Sequence, residues 1–463
     1  MLNEQLRPEQ PSRLVRSLGV FGVLFLTLSV TTPASSVFVI IPGMLQVAGT
    51  GAIWALILAG IVCVATAFIY AELSSAWPVA GGEYVAVAHT LGPLAGFVML
   101  GVNVFNNIFF VPVAALGISA VLSTVLPGLP QIPVAIAVVV GATLVAILRI
   151  RLNAWMTGIF LMFEVLALIV VAVVGFHGAA RSALEFLTAP VMSSPAGLVP
   201  ATLTQIGLAT SIAIFALNGY GSAVYFGEEM HDASRGIARA ILAALVLTLL
   251  LEVLPVLGGL MGASDLAAFL SAGDPFGLLV AARGGGRLAD WVAVGVVIAI
   301  INAVIAWVLA CARFFYGTAR DNSWGRPLDR WLTVIHPRFG SPWIGTLLIG
   351  AIGVACCFLP IQLLLILSGS GLLVIYAGIC VAAIVGRRTG RTAHAHYRMP
   401  FYPVAPVLTL VALAGVAWAS WIDVEEGGRA ALIMTGVQIA VSAGYYWFVL
   451  RRRGNWEVQI PQS

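Results

Sequence analysis

Thr31-Thr32-Pro33-Ala34-Ser35-Ser36 interrupts an apolar run at residues 18–46 near its middle. Phe215-Ala216-Leu217-Asn218-Gly219-Tyr220-Gly221 interrupts a second run, at 201–227, at a similar depth. Proline removes a backbone donor and clashes with the preceding turn, and two glycines with an asparagine are poor helix formers. Either break alone reads as an ordinary kink. Around them the chain is unusually apolar: of its 463 residues 60% are hydrophobic and only 9% charged, with a mean hydropathy of +1.03. Soluble domains carry about 25% charged residues, so this is an all-α integral membrane protein. The alternating ten-residue segments of a membrane barrel are missing from the sequence.

A spanning helix needs about 20 apolar residues. Such runs are expected at 18–46, 52–76, 93–125, 131–149, 153–176, 201–227, 236–261, 288–318, 343–359, 361–386, 402–423 and 430–450. All 23 cationic residues are arginine. With twelve spans and both termini on one side, only Arg181, Arg283, Arg287 and Arg429 fall on the opposite side. That bias puts the termini in the cytoplasm and the protein in the cell (inner) membrane as a multi-pass protein. The expected parts are a tail at 1–17, a first repeat at 18–176, a second at 201–386, two more spans at 402–450 and a tail at 451–463. No cleaved signal peptide is expected. The semi-apolar stretch at 77–92 is expected to lie along the cytoplasmic membrane surface.

The two breaks occupy equivalent positions if spans 1–5 and 6–10 are inverted repeats. Interrupted segments in matching places of two halves point to a binding site at the membrane midplane. The free amides of a half-helix favour a carboxylate, and free carbonyls favour an ammonium. A zwitterionic amino acid offers both groups.

Several local patterns accompany the breaks. They are Pro42-Gly43; Tyr70-Ala71-Glu72-Leu73; Pro78-Val79-Ala80-Gly81-Gly82-Glu83-Tyr84; Glu228-Glu229-Met230 with Arg235; and Arg313 with Ala319-Arg320-Asp321. Over about residues 17–450 the chain resembles the amino acid–polyamine–organocation (APC) transporter family. The resemblance implies twelve transmembrane helices in a leucine-transporter-like fold, a five-plus-five inverted repeat plus two helices. It also implies secondary active transport by alternating access. By the same resemblance Ala34, Ser35, Ser36 and Val37 would hold the substrate carboxylate. Thr31, Thr32, Phe215 and Ala216 would hold its ammonium, with Asn218 and Gly219 in the same break. Phe215 would close over the substrate and Trp307 would lie beside it. Pro33-Ala34-Ser35-Ser36 stands where the family carries a glycine-rich break.

Coupling narrows by elimination. The sodium site of this fold uses hydroxyls of span 8, but Trp291–Gly317 contains no serine or threonine. A hard cation needs oxygen ligands, and only the Asn302 side chain offers one there. All six histidines (His89, His177, His231, His336, His394, His396) lie outside the spans. Two intramembrane acids remain, Glu164 and Glu252, and such acids are functional candidates by default. Glu164 stands where proton-coupled relatives have a lysine, so a titratable group there could replace the ion. Its alternative role is a protonated carboxyl bonding a neighbouring helix through Asn302. Glu252 is expected nearer the outer face, within reach of water. Glu72, Glu228 and Glu229, at cytoplasmic ends, are expected to make gate or scaffold bonds.

Neither break carries the acid that a polyamine needs or the arginine that an anionic side chain needs. A neutral or small amino acid, or a gamma-amino acid, therefore fits best. Glu164 or Glu252 near the cavity would reopen the amine reading. Asn103, Asn106 and Asn107 line span 3, and Asn103 shares a helix face with Asn107. The expected function is an amino acid symporter, proton-coupled and sodium-independent, with the proton and membrane lipids as its other partners. An amino acid or amine exchanger without proton coupling, a transporter-like nutrient sensor and a channel are the alternatives. The five cysteines sit in apolar runs as packing residues, and Gly369-Ser370-Gly371 in span 10 suits helix packing. No Ser-His-Asp set, phosphate loop or metal motif is present, so no enzyme activity, cofactor, metal, nucleic acid or obligate protein partner is expected.

Overall fold

The computed structural model describes residues 14–125, 128–368, 370–422, 427–454 and 456–460. Most of the tail expected at 1–17, with Arg7 and Arg13, lies outside the described residues, as do Gly369 and the end of the tail at 451–463. The chain is overwhelmingly helical. It runs α1 (Val20–Thr31), the short α2 (Pro33–Ser35), a π turn at Ser36–Ile40, α3 (Ile41–Ala48) and α4 (Ala52–Ala76). Next come α5 (Glu83–Leu91), α6 (Pro93–Val125), α7 (Gln131–Ala146), α8 (Ile150–His177) and α9 (Ala183–Thr188). A two-stranded antiparallel hairpin, β1 (Val191–Ser194) and β2 (Gly197–Pro200), pairs Val191 with Pro200 and Ser194 with Gly197. The second half holds α10 (Leu203–Ala216), a 3-10 segment at Tyr220–Glu229, α11 (Ala233–Gly262), α12 (Leu266–Ser271), α13 (Pro275–Gly284) and α14 (Gly286–Arg320). The last elements are α15 (Arg326–Leu332), α16 (Trp343–Cys356), α17 (Ile361–Ser368), α18 (Gly371–Arg388), α19 (Val404–Ile422), α20 (Gly428–Tyr445), a second π turn at Tyr446–Leu450 and α21 (Arg451–Arg453).

Among the described residues, nine helical stretches are long and apolar enough to cross a membrane. The helices α7 and α16 are apolar but shorter. The first of the nine, Val20–Ala76, has 57 residues. At 1.5 Å per residue it would measure about 85 Å, far more than a hydrocarbon core of about 30 Å. It turns instead at Gly49–Gly51, where Gly49 adopts φ +57° and a Cβ would meet the Val191 carbonyl oxygen of the hairpin at 2.1 Å. Large apolar side chains such as Phe21, Trp155, Met162 and Trp291 are exposed around the bundle. Contiguous apolar surface of this kind suits lipid, not water.

The helix α14 is deeply enclosed, with most of Ala299–Ala319 buried. It packs against α6, α8, α7 and both interrupted segments, and so places Asn302, Trp307 and Arg313 along one interior axis.

The stretch at 77–92 packs against the bundle, chiefly on α6 and α18. Glu83, Tyr84, Val85 and Val87 are buried, because Gly81-Gly82 turns α5 inward. Gly82 has φ +75°, and a Cβ there would meet the Tyr225 ring at 2.6 Å. Only glycine combines that backbone with that contact.

Candidate functional site

Both sequence breaks are breaks in the structure. The helix α1 ends at Thr32, whose left-handed backbone (φ 45°, ψ 69°) is uncommon outside glycine and is set against Pro33, which has no N–H to offer. The helix α10 ends at Ala216, and Gly219 (φ +122°) carries the chain into the 3-10 segment. The two breaks touch. A Cβ on Gly219 would lie 2.7 Å from the Thr31 Cα, and the Ser36 hydroxyl donates to the Ala216 carbonyl at 3.0 Å. The segments beyond the breaks are also joined: His231 N donates to the Leu18 carbonyl at 2.8 Å, and Leu18 pairs with Met230 in a parallel bridge. Gly219→Ala is expected to combine a disfavoured backbone with a backbone clash and to lower the thermal unfolding temperature in detergent. An unchanged temperature would show that the breaks are not in tight contact.

Glu164 on α8 reaches the first break. Its Oε1 accepts from the Ala34 amide at 2.9 Å, and it is fully buried. Its Oε2 and the neighbouring Thr32 hydroxyl have no hydrogen-bond partner among the described residues. The partner considered from sequence was Asn302, and the structure places Asn302 elsewhere: its Nδ2 donates to Ser29 Oγ at 2.9 Å and to the Thr157 carbonyl at 3.2 Å. Glu252 on α11 is also fully buried, not at the outer water as expected, because α4 and the π turn after α2 cover it. Ser36, Cys63 and Glu164 are among its neighbours, and neither of its carboxyl oxygens has a hydrogen-bond partner among the described residues.

A small cavity of about 30 Å³ adjoins the second break. Asn218, Gly219, Trp307, Asn103 and Asn106 line it, together with Tyr70, Glu83 and Tyr225. Trp307 donates its indole N–H to the Asn107 carbonyl at 3.0 Å and packs on Phe110. Asn218 accepts from the Tyr376 hydroxyl. Thr31 bonds back to the Thr27 carbonyl; Val37 and Ala216 are buried, Ser35 is half-buried, and Phe215 is 46% exposed.

Sequence reasoning left Glu83, Tyr70 and Tyr225 out of the site. The Gly81-Gly82 pair before an acid was the available signal, but the inward turn it permits depends on Tyr225, more than a hundred residues away.

One end of the bundle is held by ion pairs. Arg313 and Glu229 are joined by two bonds, at 2.6 and 3.0 Å. Arg320 pairs with Glu228, which also accepts from Ala80 N, and Arg387 pairs with Glu72. These acids make the scaffold bonds expected of them. Beside them Asp321 accepts from the Tyr84 hydroxyl at 2.7 Å and from Gln459 N at 3.0 Å. Burial pushes the Asp321 carboxyl up from 3.8 to about 6, against the opposing pull of Arg320. A group that holds its proton more tightly when folded stabilises the fold below its unfolded pKa, and that contribution is lost as pH rises through the folded value. Wild-type stability is therefore expected to fall between about pH 4 and 6, by at most about 1.4 kcal/mol per pH unit from this group. Asp321→Asn should remove that slope in pH-dependent thermal unfolding; identical slopes would refute the assignment.

Residues 18–446 match the family model described as amino acid permease. The methylthioribose transporter of Bacillus subtilis is 25% identical, over 90% of this chain and 93% of its own. The branched-chain amino acid permease BcaP of Lactococcus lactis is 26% identical, over 93% and 94%. The low-affinity putrescine importer PlaP of Escherichia coli is 23% identical, over 78% of each chain. With two interrupted helices meeting in the interior of an apolar bundle and a family match along almost its whole length, the chain belongs to the amino acid permeases of the APC family and is a multi-pass membrane transporter, not an enzyme.

Proposed function

We propose that the protein imports a neutral or small amino acid, or a gamma-amino acid, by proton-coupled and sodium-independent alternating access in the cell (inner) membrane. The observation that carries this reading is the Glu164 carboxyl on the Ala34 amide. That amide is one that the family resemblance assigns to the substrate carboxylate. An ionised Glu164 competes for it; a protonated Glu164 accepts more weakly and releases it. Proton binding and substrate binding then favour one another, and the coupling is reciprocal. Glu252, beside Ser36, is the second proton candidate. The lack of serine and threonine in Trp291–Gly317 supports sodium independence.

The proposed layout has twelve crossings. The 57-residue stretch supplies two, and the short helices α7 and α16 supply one each. Residues 18–176 and 201–386 form the inverted repeats, 402–450 adds two helices, and the arginine bias puts both tails in the cytoplasm. The substrate site comprises Thr31, Thr32, Ala34, Ser35, Ser36, Val37, Asn107, Phe215, Ala216, Asn218, Gly219 and Trp307. The test is uptake of labelled amino acids into proteoliposomes under an imposed pH gradient, with sodium present or replaced. Accumulation that follows the pH gradient and ignores sodium is the expected result. Uptake that needs sodium, or that ignores the gradient, overturns the coupling.

A further inference from the structure

Glu83 is a buried acid at the boundary of two cavities. With Tyr70 it lines both the roughly 30 Å³ cavity beside Asn218 and Trp307 and a second, of about 10 Å³, that reaches toward Ser74 and Trp77. Its two oxygens accept from the Tyr70 hydroxyl at 2.8 Å, Asn103 Nδ2 at 2.9 Å and the Tyr225 hydroxyl at 3.2 Å. Asn103 can only donate through that nitrogen. The Tyr225 hydroxyl accepts from Asn107 Nδ2 at 3.5 Å, which turns its own proton toward Glu83. The donor set solvates a carboxylate. Every one of these donors is neutral, and none of the four ion pairs among the described residues includes Glu83. A buried charge is costly unless it is paired. Tyr70, Tyr225 and Trp307 also line the cavity, and aromatic residues are what an organic cation prefers around it.

We propose that Glu83 is the subsite for a primary ammonium group that stands away from the substrate carboxylate, as in an omega-amino acid. The inference rests on the proposed midplane site and refines its substrate class. The substrate's carboxylate end would meet the Ala34 break, while its remote ammonium would pass Asn218 and neutralise Glu83. The septum position gives Glu83 a second role, because a cation leaving toward Ser74 and Trp77 passes the same carboxylate. At about 30 Å³ the cavity is too small for the ligand, so its lining must move for binding.

The experiment measures binding of gamma-aminobutyrate, putrescine and valine to purified wild-type, Glu83→Gln and Glu83→Asp proteins by calorimetry. The wild-type protein is expected to prefer gamma-aminobutyrate to valine. In Glu83→Gln the ratio of the gamma-aminobutyrate affinity to that of valine should fall about ten-fold or more, the usual scale for removing one partner of a buried charge pair. Glu83→Asp keeps the charge and should fall between the two; it also carries the test if the Gln variant does not fold. Preference for gamma-aminobutyrate over putrescine is the expected result; the reverse overturns the pairing of a carboxylate at Ala34 with an ammonium at Glu83. A wild-type protein that binds valine but neither amine overturns the proposal, as does a Gln variant with an unchanged ratio. Failure of the wild-type protein to transport any amino acid or amine in proteoliposomes overturns the proposed function itself.

Discussion

Glu164→Gln is expected to uncouple transport from the proton. In the wild-type protein substrate affinity should tighten from an alkaline pH, where Glu164 is ionised, to an acidic one, where it is protonated, because protonation releases the Ala34 amide. A hydrogen bond to a charged acceptor contributes about 1.5–3 kcal/mol, and 1.4 kcal/mol is a factor of ten. The pH-dependent change in affinity should therefore be about 10- to 100-fold. Glutamine has nearly the same shape, and its neutral amide oxygen holds Ala34 N–H less firmly than a carboxylate does. The variant should bind substrate with the low-pH affinity at both pH values, and should equilibrate labelled substrate across a proteoliposome membrane without concentrating it. Binding assays at the two pH values and counterflow with and without a pH gradient read these outcomes separately. Gradient-driven accumulation at the wild-type level in Glu164→Gln would eliminate Glu164 as the coupling residue and move attention to Glu252.

The same contact illustrates what the sequence made legible. Pro33 and the Asn218-Gly219 pair are local signals: each disrupts a helix through its own backbone chemistry, so the breaks could be read directly. The run expected at 52–76 is α4 (Ala52–Ala76) for the same reason, since hydrophobic length is a property of the stretch itself. The partners of each polar group are not local. Asn302 was the partner considered for Glu164, yet the packing of α14 against α1 and α8 gives it Ser29 and Thr157 instead. Glu252 looked near the outer face when counted along its own helix, but the π turn at Ser36–Ile40 and α4 cover it. Glu83 depends on three donors from three separate segments, and the one nearest in sequence is 13 residues away. The exposed Phe215 reflects helix rotation, which a break leaves free of the periodicity on either side.

Arg313 and Glu229 should produce the largest loss of stability in the molecule. Their side chains are 0% and 1% exposed, joined by two hydrogen bonds, and Arg313 also donates to the Leu309 carbonyl at 3.1 Å. The Glu229 carbonyl in turn accepts from Ser17 N and Leu18 N, both at 2.9 Å. The pair thus ties α14 to the end of the second interrupted segment and to the start of α1, the parts that must separate if the cavity opens at this end. Replacing one partner leaves the other charge buried and unpaired, at a cost of about 3–5 kcal/mol. Replacing both by apolar residues of similar volume removes that penalty. Glu229→Gln and Arg313→Met are each expected to lower the unfolding temperature sharply in detergent, and the Glu229→Leu, Arg313→Met double variant to recover more than half of the loss. Additive losses would mean that each side chain acts through packing of its own. Recovery of stability without recovery of transport would show that the ion pair does more than hold the fold: it sets how tightly the two interrupted segments are tied to α14 in the closed state.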